Sequence, residues 1–558
     1  MSNERTSDLW WKNAVIYCLD VETFLDWNGD GKGDLEGLTQ KIDYLAGIGV
    51  TTIWLMPYYP SPSRDDGYDI SDYYGIDPRL GHPGDFVGFV RTAKDRGLRV
   101  IVDLVINHTS DQHPWFRESR RDPESPYRDF YVWREEIPEA PDAQPVFPDA
   151  EDSIWSWDEK AEMYYLHHFY SHQPDLNIAH PQVREEIAKV AGFWLELGVD
   201  GFRVDAVPFL LETGGIPGAE DLDPHGMLRD LRQFIERRKG TAALLGEVNL
   251  PPQPLRRYFG DEDGDELHML FAFPVMQAMY LALARQDARP LAAALRALPE
   301  IPEDSQWAHF ARNHDELTLD QLSDEERQEV FDAFGPEEHM QLFGRGLRRR
   351  LPPMLDGDPA RIRLVYSLVF TLPGTPVLFY GEEIGMGENL DIEGRLSVRT
   401  PMQWSPEPNG GFSSADKRRL ARPLPDGEYG PDNVNVIDQR RDPASLLSWM
   451  ERIMRRRRET PEFGWGSWQV IETGDNALLA HRCDWEGASV LAVHNLSSES
   501  REVTIDVADL DPPEETLYLE DLLVARAGPR LDVDEIRFSM EGYGHRWFRI
   551  RSPRQGVG

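Results

Sequence analysis

Cysteine and long apolar runs are what this 558-residue sequence most clearly lacks. Its two cysteines, Cys18 and Cys483, are far apart. That spacing excludes a disulfide scaffold and a cysteine-ligated metal cluster. No uncharged apolar run reaches the roughly eighteen residues of a membrane-spanning helix. The opening Met-Ser-Asn-Glu-Arg lacks the basic and apolar segments of a secretory signal. The sequence therefore predicts a cytoplasmic protein with no membrane partner.

Basic residues are outnumbered by acidic ones. There are 59 lysines and arginines against 98 aspartates and glutamates, and the formal net charge is −39. So negative a chain repels nucleic acid and anionic lipid, so we expect a neutral small molecule as its partner. The 40% of hydrophobic residues is typical of a globular protein, and the length predicts two or three domains.

Eight short runs of β-forming residues alternate with amphipathic helical stretches over most of the chain. Eight strand–helix units in succession predict an α/β fold, a parallel sheet closed into a (β/α)8 barrel. The runs are residues 14–20, 51–57, 99–107, 199–207, 242–249, 266–273, 306–316 and 375–386.

Two connections are too long for simple loops, and the pattern changes near the C-terminus. Residues 108–175, rich in Pro, Trp and Tyr, predict a subdomain inserted after strand 3. Residues 317–359, with helical patterning at 323–334, predict a helical lid after strand 7. Alternating runs beyond about residue 464 predict an antiparallel β-sandwich. The predicted domains are a barrel of residues 1–107 and 176–462, insertions at 108–175 and 317–359, and a sandwich of residues 463–558.

Carboxylates follow apolar strands at the predicted mouth of the barrel, where the chemistry of such folds occurs. Asp205 and Glu247 end strands 4 and 5, and retaining chemistry on a glycoside needs two such groups in different environments. Arg203, two residues before Asp205 on the same strand face, would keep Asp205 ionised. The apolar run before Glu247 would raise its pKa toward that of a working acid.

Four of these strand ends resemble the signature regions of the α-amylase superfamily, glycoside hydrolase family 13. They read Asp-Leu-Val-Ile-Asn-His at 103–108, Gly-Phe-Arg-Val-Asp at 201–205, Gly-Glu at 246–247 and Asn-His-Asp at 313–315. The resemblance implies that Asp205 is the nucleophile, Glu247 the general acid/base and Asp315 a carboxylate that stabilises the transition state. It also implies that one glucose ring of a short α-glucoside is held by Asp65, Tyr68, His108, Phe169, Gln173, Arg203, His314 and Arg399.

An oxygen-rich loop at residues 26–34 alternates ligand-type side chains with glycines, as a calcium loop does. Gly37 stands where an EF-hand carries its last acidic ligand, so a polar turn without metal is the alternative. The resemblance implies structural calcium here, with magnesium as the other candidate ion, and no organic cofactor. The implied ligands are Asp26, Asn28, Asp30, the Lys32 carbonyl and Asp34, and a second site would use Asn107, Asp175, the carbonyls of Phe209 and Leu210, and Glu212.

Longer stretches at 107–116, 169–177, 312–319 and 348–353 are most similar to family members that interconvert maltose and trehalose within a closed pocket. Two segments depart from the family pattern. Residues 17–24 read Tyr-Cys-Leu-Asp-Val-Glu-Thr-Phe, where the family usually has Glu-Val-…-Arg-Ser-Phe. The loop at 388–397 lacks the usual Gly-Asp-Arg form, and it is expected to border the acceptor side of the site.

Three functions are therefore weighed. The first is interconversion of maltose and trehalose by intramolecular glucosyl transfer. The second is an α-glucosidase that passes glucose from maltose, sucrose or a related disaccharide to water. The third, a catalytically inactive relative that serves as a binding or transporter-associated subunit, predicts a membrane span and a broken carboxylate triad, and the sequence has neither. The resemblance favours the first function, but the sequence does not separate the first two cleanly. It also leaves open the preferred disaccharide and the oligomeric state, a homo-oligomer included.

Overall fold

Eight parallel strands close into a barrel in the computed structural model of the protein. The model describes residues 9–138, 144–211, 223–262, 264–510, 518–524, 526–530 and 535–551. Each strand pairs with its neighbours in the chain, and the eighth pairs with the first. Each lies within a predicted run, so the predicted barrel is confirmed. The strands, β1 to β8, are Ile16–Leu19, Thr52–Leu55, Arg99–Leu104, Gly201–Val204, Ala243–Gly246, Met269–Phe271, Gln306–Phe310 and Thr375–Phe379.

Amphipathic helices surround the barrel. Helix Pro181–Glu196, between β3 and β4, shows why these segments are helical. Val183, Ile187, Val190 and Trp194 recur at helical spacing and form its buried face, and a proline occupies the first turn. The helices around the barrel are Leu35–Gln40, Ile42–Ile48, Pro83–Asp95, Pro181–Glu196, His225–Arg238, Pro252–Leu255, Phe273–Arg285, Arg289–Ala297, Pro359–Thr371 and Leu446–Arg458.

The insertion after β3 builds a small three-stranded antiparallel sheet. Strand Met163–Leu166 lies between Trp133–Arg134 and Trp155–Asp158. Helix Pro114–Ser119 packs on this sheet through Phe116, whose ring stacks on Trp133 at 5.6 Å. The aromatic residues that mark this segment in the sequence are thus its core.

The insertion after β7 combines a helix with a second small sheet. Helix Asp324–Phe334 begins at Ser323, which forms a capping box with Glu326. Strand Gly346–Leu347 pairs with both Leu317–Thr318 and Gln341–Leu342. A helical insertion at this point of the barrel was predicted and is confirmed.

The two insertions touch each other above the barrel mouth. Arg345, from the insertion after β7, donates to the carbonyl of Val146 in the insertion after β3 at 2.9 Å. The neighbouring Phe343 packs on Phe147 with ring centroids 5.1 Å apart. The mouth is therefore covered from two sides.

The C-terminal region is a sandwich of two antiparallel sheets, as predicted. Apolar side chains from both sheets, such as Leu491, Val503 and Phe548, form one core between them. Among the described residues, no helix combines the length and the hydrophobicity needed to cross a bilayer. The larger sheet has the order Ser467–Ile471, Leu478–Trp485, Ala488–Asn495, His545–Arg551, Tyr518–Asp521, Arg526–Arg530, and the smaller pairs Arg501–Asp506 with Glu535–Met540.

Candidate active site

Three carboxylates at the ends of β3, β4 and β5 meet around one buried guanidinium, that of Arg203. Its Nη1 donates to Asp103 Oδ1 at 2.6 Å and to Asp205 Oδ1, and its Nη2 lies 2.7 Å from Glu247 Oε2. The parallel register places Asp103 beside Arg203 on the next strand. Because Arg203 is only 1% exposed, its charge requires compensating carboxylates.

Burial raises the pKa of Asp205 to about 6 and that of Glu247 to about 7. Arg203 opposes the rise in both groups, and the neighbouring carboxylates reinforce it. Both groups therefore titrate near neutrality, as a coupled pair. The Glu247 Oε2 also accepts from the backbone N–H of Ala206 at 3.1 Å. Ala206 has a φ of +50°, a strained conformation that is common at functional sites.

Asp315, at the end of the β7 segment, has the opposite environment. Burial would raise its pKa, but His314, Arg395 and Arg399 hold the pKa well below the usual range. His314 Nε2 lies 3.1 Å from Asp315 Oδ2. Arg395 and Arg399 donate to Oδ1 at 2.6 Å and 2.8 Å. Asp315 is thus a permanent negative charge beside two carboxyl groups that titrate near neutrality.

The residues predicted to bind the sugar lie around these carboxylates in two layers. Asp65, Tyr68, His108 and Phe169 line the cavity directly. The other predicted residues, Gln173, Arg203, His314 and Arg399, contact the lining residues from behind. The Tyr68 hydroxyl is 2.7 Å from His314 Nε2, Gln173 donates to Asp65 Oδ2 at 2.9 Å, and Arg399 donates to the His314 carbonyl at 2.8 Å.

The cavity has a volume of about 420 Å³, within the range of small-molecule sites. Asp205, Glu247 and Asp315 line it. Its lining also includes polar residues that were not predicted: Asn249, Glu316, Thr318, Asp320 and Arg345. Asn249 donates to both oxygens of Asp320 at 2.9 and 3.0 Å, and Gln277 donates to Asp320 Oδ1 at 3.2 Å.

Arg395 is the functional side chain that sequence reasoning missed. Its two Nη atoms donate to Asp315 Oδ1 and Asp65 Oδ1, each at 2.6 Å. Its guanidinium lies 4.7 Å from the Phe147 ring centroid, so it also contacts the insertion after β3. Arg395 belongs to the loop at 388–397, whose departure from the family pattern was the only signal.

The loop at 388–397 is fixed by the arginines of the β7 insertion. Arg348 donates to the Leu390 carbonyl, Arg349 Nε donates to Glu388 Oε1 at 2.9 Å, and the Arg350 backbone N–H donates to Glu388 Oε2 at 2.8 Å. The two insertions and this loop therefore form one connected cover over the cavity.

The predicted calcium loop is ordered by its own amides. Asp26 accepts from Gly29 at 2.7 Å and from Gly31 at 2.8 Å. Asp34 accepts from Trp27 at 3.0 Å. In the part of the chain described here, its aspartates do not bring one oxygen each within 4.8 Å of one another. The Asn28 side chain accepts from the backbone N–H of Asp30, and the Asp30 side chain accepts from the backbone N–H of Lys32.

The predicted second metal site contains an unpredicted histidine. Asp175 Oδ1 accepts from Asn107 Nδ2 at 3.1 Å, and Asp175 Oδ2 contacts His168 Nδ1. Phe209 packs on the His168 ring. Leu210 ends the short helix Val207–Leu210, and Glu212 lies outside the described residues.

Comparison with known proteins agrees with this geometry. The family model described as "Alpha amylase, catalytic domain" matches residues 19–332 and 349–466. The model described as "Sucrose hydrolase-like, C-terminal domain" matches residues 487–549. The chain therefore belongs to the α-amylase family of glycoside hydrolases, as its signature segments predicted.

Two similar proteins and one solved structure are named for activities on trehalose or trehalulose. The chain is 42% identical to the trehalose synthase/amylase TreS of Mycolicibacterium smegmatis, over 98% of this chain and 94% of that one. It is 40% identical to the trehalose synthase of Pimelobacter sp., over 98% and 96%. The solved structure of trehalulose synthase MutB from Pseudomonas mesoacidophila is 28% identical with a TM-score of 0.77, over 97% and 99% of the two chains.

Proposed function

We propose that the protein interconverts maltose and trehalose by retaining glucosyl transfer within a covered cavity. The observation that carries the proposal is the pair Asp205 and Glu247, held by one arginine under a cover made of two insertions and one loop. Relatives named trehalose synthase, aligned over nearly their whole length, support the same substrates.

The donor half of the reaction uses the two carboxyl groups in turn. The Asp205 carboxylate attacks the anomeric carbon of one glucose ring while Glu247 delivers its proton to the leaving glycosidic oxygen. Asp315, ionised at neutral pH, stabilises the positive charge that develops on the ring. Tyr68, His108 and the other sugar-binding groups hold the ring during this step.

The acceptor half depends on what remains beside the glucosyl-enzyme. Under the cover, the leaving glucose stays at a high effective concentration and water is excluded. Glu247, now a base, takes a proton from a different hydroxyl, which attacks the anomeric carbon and releases the isomer. Hydrolysis by water is then the side reaction.

Product analysis tests the proposal directly. Incubation with maltose, followed by quantitative NMR, is expected to give trehalose as the main product and free glucose as the minor one. Trehalose as substrate should give maltose. Glucose alone from maltose would instead support the α-glucosidase, and sucrose added in parallel shows whether a different disaccharide is preferred.

The pH dependence of kcat/KM follows from the two raised pKa values. Turnover requires ionised Asp205, which is gained as pH rises through about 6, and protonated Glu247, which is lost as pH rises through about 7. We expect a narrow bell with its maximum between these values, whose limbs belong to the coupled pair. With an activated aryl α-glucoside, Glu247→Gln should lose the alkaline limb, and an unchanged alkaline limb would contradict the assignment.

We also propose that calcium occupies the loop at 26–34. Its donors are all oxygens at alternate positions, the set that calcium prefers, and the bound ion would stabilise the fold. EDTA should lower the melting temperature by several degrees, because an ion at a hundred times its Kd stabilises by about 2.7 kcal/mol. Asp30→Asn should reduce the difference between calcium-loaded and EDTA-treated protein. Equal melting temperatures with and without EDTA in the unmodified protein would identify a polar turn.

A further inference from the structure

A largely buried cluster of charged side chains lies at the end of β1. Asp20, Glu22 and Asp66 each bring one oxygen within 4.8 Å of the other two. A guanidinium contacts all three. Arg422 Nη1 lies 3.1 Å from Asp20 Oδ2, and its Nη2 contacts Asp66 Oδ1 and lies 3.3 Å from Glu22 Oε2. Arg422 thus supplies the compensating charge that buried carboxylates require.

From this cluster, a continuous row of contacts leads to the reacting groups. Asp66 contacts Arg422 through Oδ1 and accepts from Arg399 Nη1 through Oδ2 at 2.7 Å. Arg422 also donates to the Arg399 carbonyl at 3.0 Å. Arg399 then donates to Asp315 Oδ1 and to the His314 carbonyl, each at 2.8 Å. The position of Asp315 therefore depends on a side chain that does not line the cavity.

The backbone at Asp66 gives a second link. Its φ of +51° is a left-handed conformation, which is strained for a non-glycine residue and persists only where the surroundings fix it. Contacts with Arg399 and Arg422 fix the Asp66 side chain. The preceding residue, Asp65, lines the cavity. Arg422 thereby helps to set the peptide that carries Asp65.

The carboxylates of this cluster depend on cations from distant segments. Asp20 and Glu22 follow β1 directly, and both place carboxylates there. The cations that face Glu22 come from elsewhere: Arg79 donates to its Oε1 at 3.1 Å, and Arg422 contacts its Oε2.

We propose that Arg422 is a positioning residue for the glucosyl-transfer reaction, acting through Asp66 and Arg399 to place Asp315 and Asp65 against the sugar. The inference rests on the proposed function, because it takes Asp315 and Asp65 as groups that meet the substrate.

The test compares Arg422→Lys with Arg418→Lys. The lysine keeps the charge that the cluster needs, but one ammonium lacks the guanidinium's planar fork of donors, which contacts three carboxylates and a carbonyl. Arg418 is an exposed arginine on the same segment that pairs with Asp416. Hydrolysis of 4-nitrophenyl α-glucoside reports glucosyl-enzyme formation whatever the natural acceptor is. Active sites are counted with a slow fluoroglucosyl inactivator, so that misfolded protein does not enter kcat.

We expect Arg422→Lys to lower kcat per titrated site roughly 10- to 100-fold, the cost of a displacement of about 1 Å. KM should change less than kcat, because Asp315 acts in the transition state. Arg418→Lys should match the unmodified enzyme. Asp66→Asn, which breaks the row at its middle, should show a similar loss, and the double variant should be little worse than either single variant.

Two results would overturn the inference alone: Arg422→Lys with kcat per site within twofold of the unmodified enzyme, or losses from Arg422→Lys and Asp66→Asn that multiply independently. Failure of the unmodified enzyme to release 4-nitrophenol would overturn the proposed function as well. The two failures are therefore distinguishable.

Discussion

Asp205→Asn is expected to lower kcat for maltose on the order of 10⁴-fold or more, because an amide cannot form the glucosyl-enzyme. The fold should survive. Arg203 keeps its contacts with Asp103 and Glu247, and the substitution removes a carboxylate that is already costly to ionise in its buried position. The measurement is steady-state turnover together with a thermal melt of each variant.

Rescue by azide distinguishes the nucleophile, Asp205, from the general acid/base, Glu247. With α-glucosyl fluoride as donor, azide should enter the space vacated in Asp205→Ala and give β-glucosyl azide. In Glu247→Ala the glucosyl-enzyme still forms, and azide should attack its opposite face to give α-glucosyl azide. The same anomer from both variants, or residual turnover within tenfold in Asp205→Asn, would reject the assignment.

The carboxylate pair and the barrel were predictable because local sequence determines both. Each barrel strand is a short run of apolar residues, and Asp205 and Glu247 directly follow two such runs. The parallel register then brings adjacent strand ends together, so Arg203 reaches Asp103 as well as Asp205. The sequence also predicted the raised pKa of Glu247. It did not predict that burial raises the pKa of Asp205 to about 6 although Arg203 opposes the rise.

The remaining part of the site was not predictable because it depends on contacts between distant segments. Arg395 lies 80 residues beyond Asp315 and 330 beyond Asp65, and it reaches both only when the loop at 388–397 folds over the mouth. Periodicity carries no information on such a loop. Arg422 and Asp20, 402 residues apart, meet in the same way. Residues 17–24, which contain Asp20, and residues 388–397, which contain Arg395, depart from the family pattern. These departures indicated where unusual contacts would lie, but not which residues would make them.

In the proposed function the cover over the cavity decides the fate of the bound glucose. The contacts that anchor the cover can be removed one group at a time. Arg348 and Arg349 hold the loop that carries Arg395, through the Leu390 carbonyl and the Glu388 carboxylate. Neither arginine is among the described residues that line the cavity. Their removal should therefore loosen the cover. Because the loop also carries Arg395, which contacts Asp315 and Asp65, the donor chemistry is followed separately by release of 4-nitrophenol.

Arg348→Ala combined with Arg349→Ala is expected to raise the ratio of glucose to trehalose formed from maltose at least tenfold. One hydrogen bond with a charged partner contributes about 1.5 kcal/mol, and a shift of about 1.4 kcal/mol toward an open cover is already a tenfold change in its population. Water then reaches the glucosyl-enzyme and the leaving glucose escapes. Arg327→Ala is the matched control, because Arg327 lies on the same insertion but pairs with Asp324. Its product ratio should equal that of the unmodified enzyme. An unchanged ratio in the double variant, with normal release of 4-nitrophenol from the aryl glucoside, would show that these arginines do not control access of water.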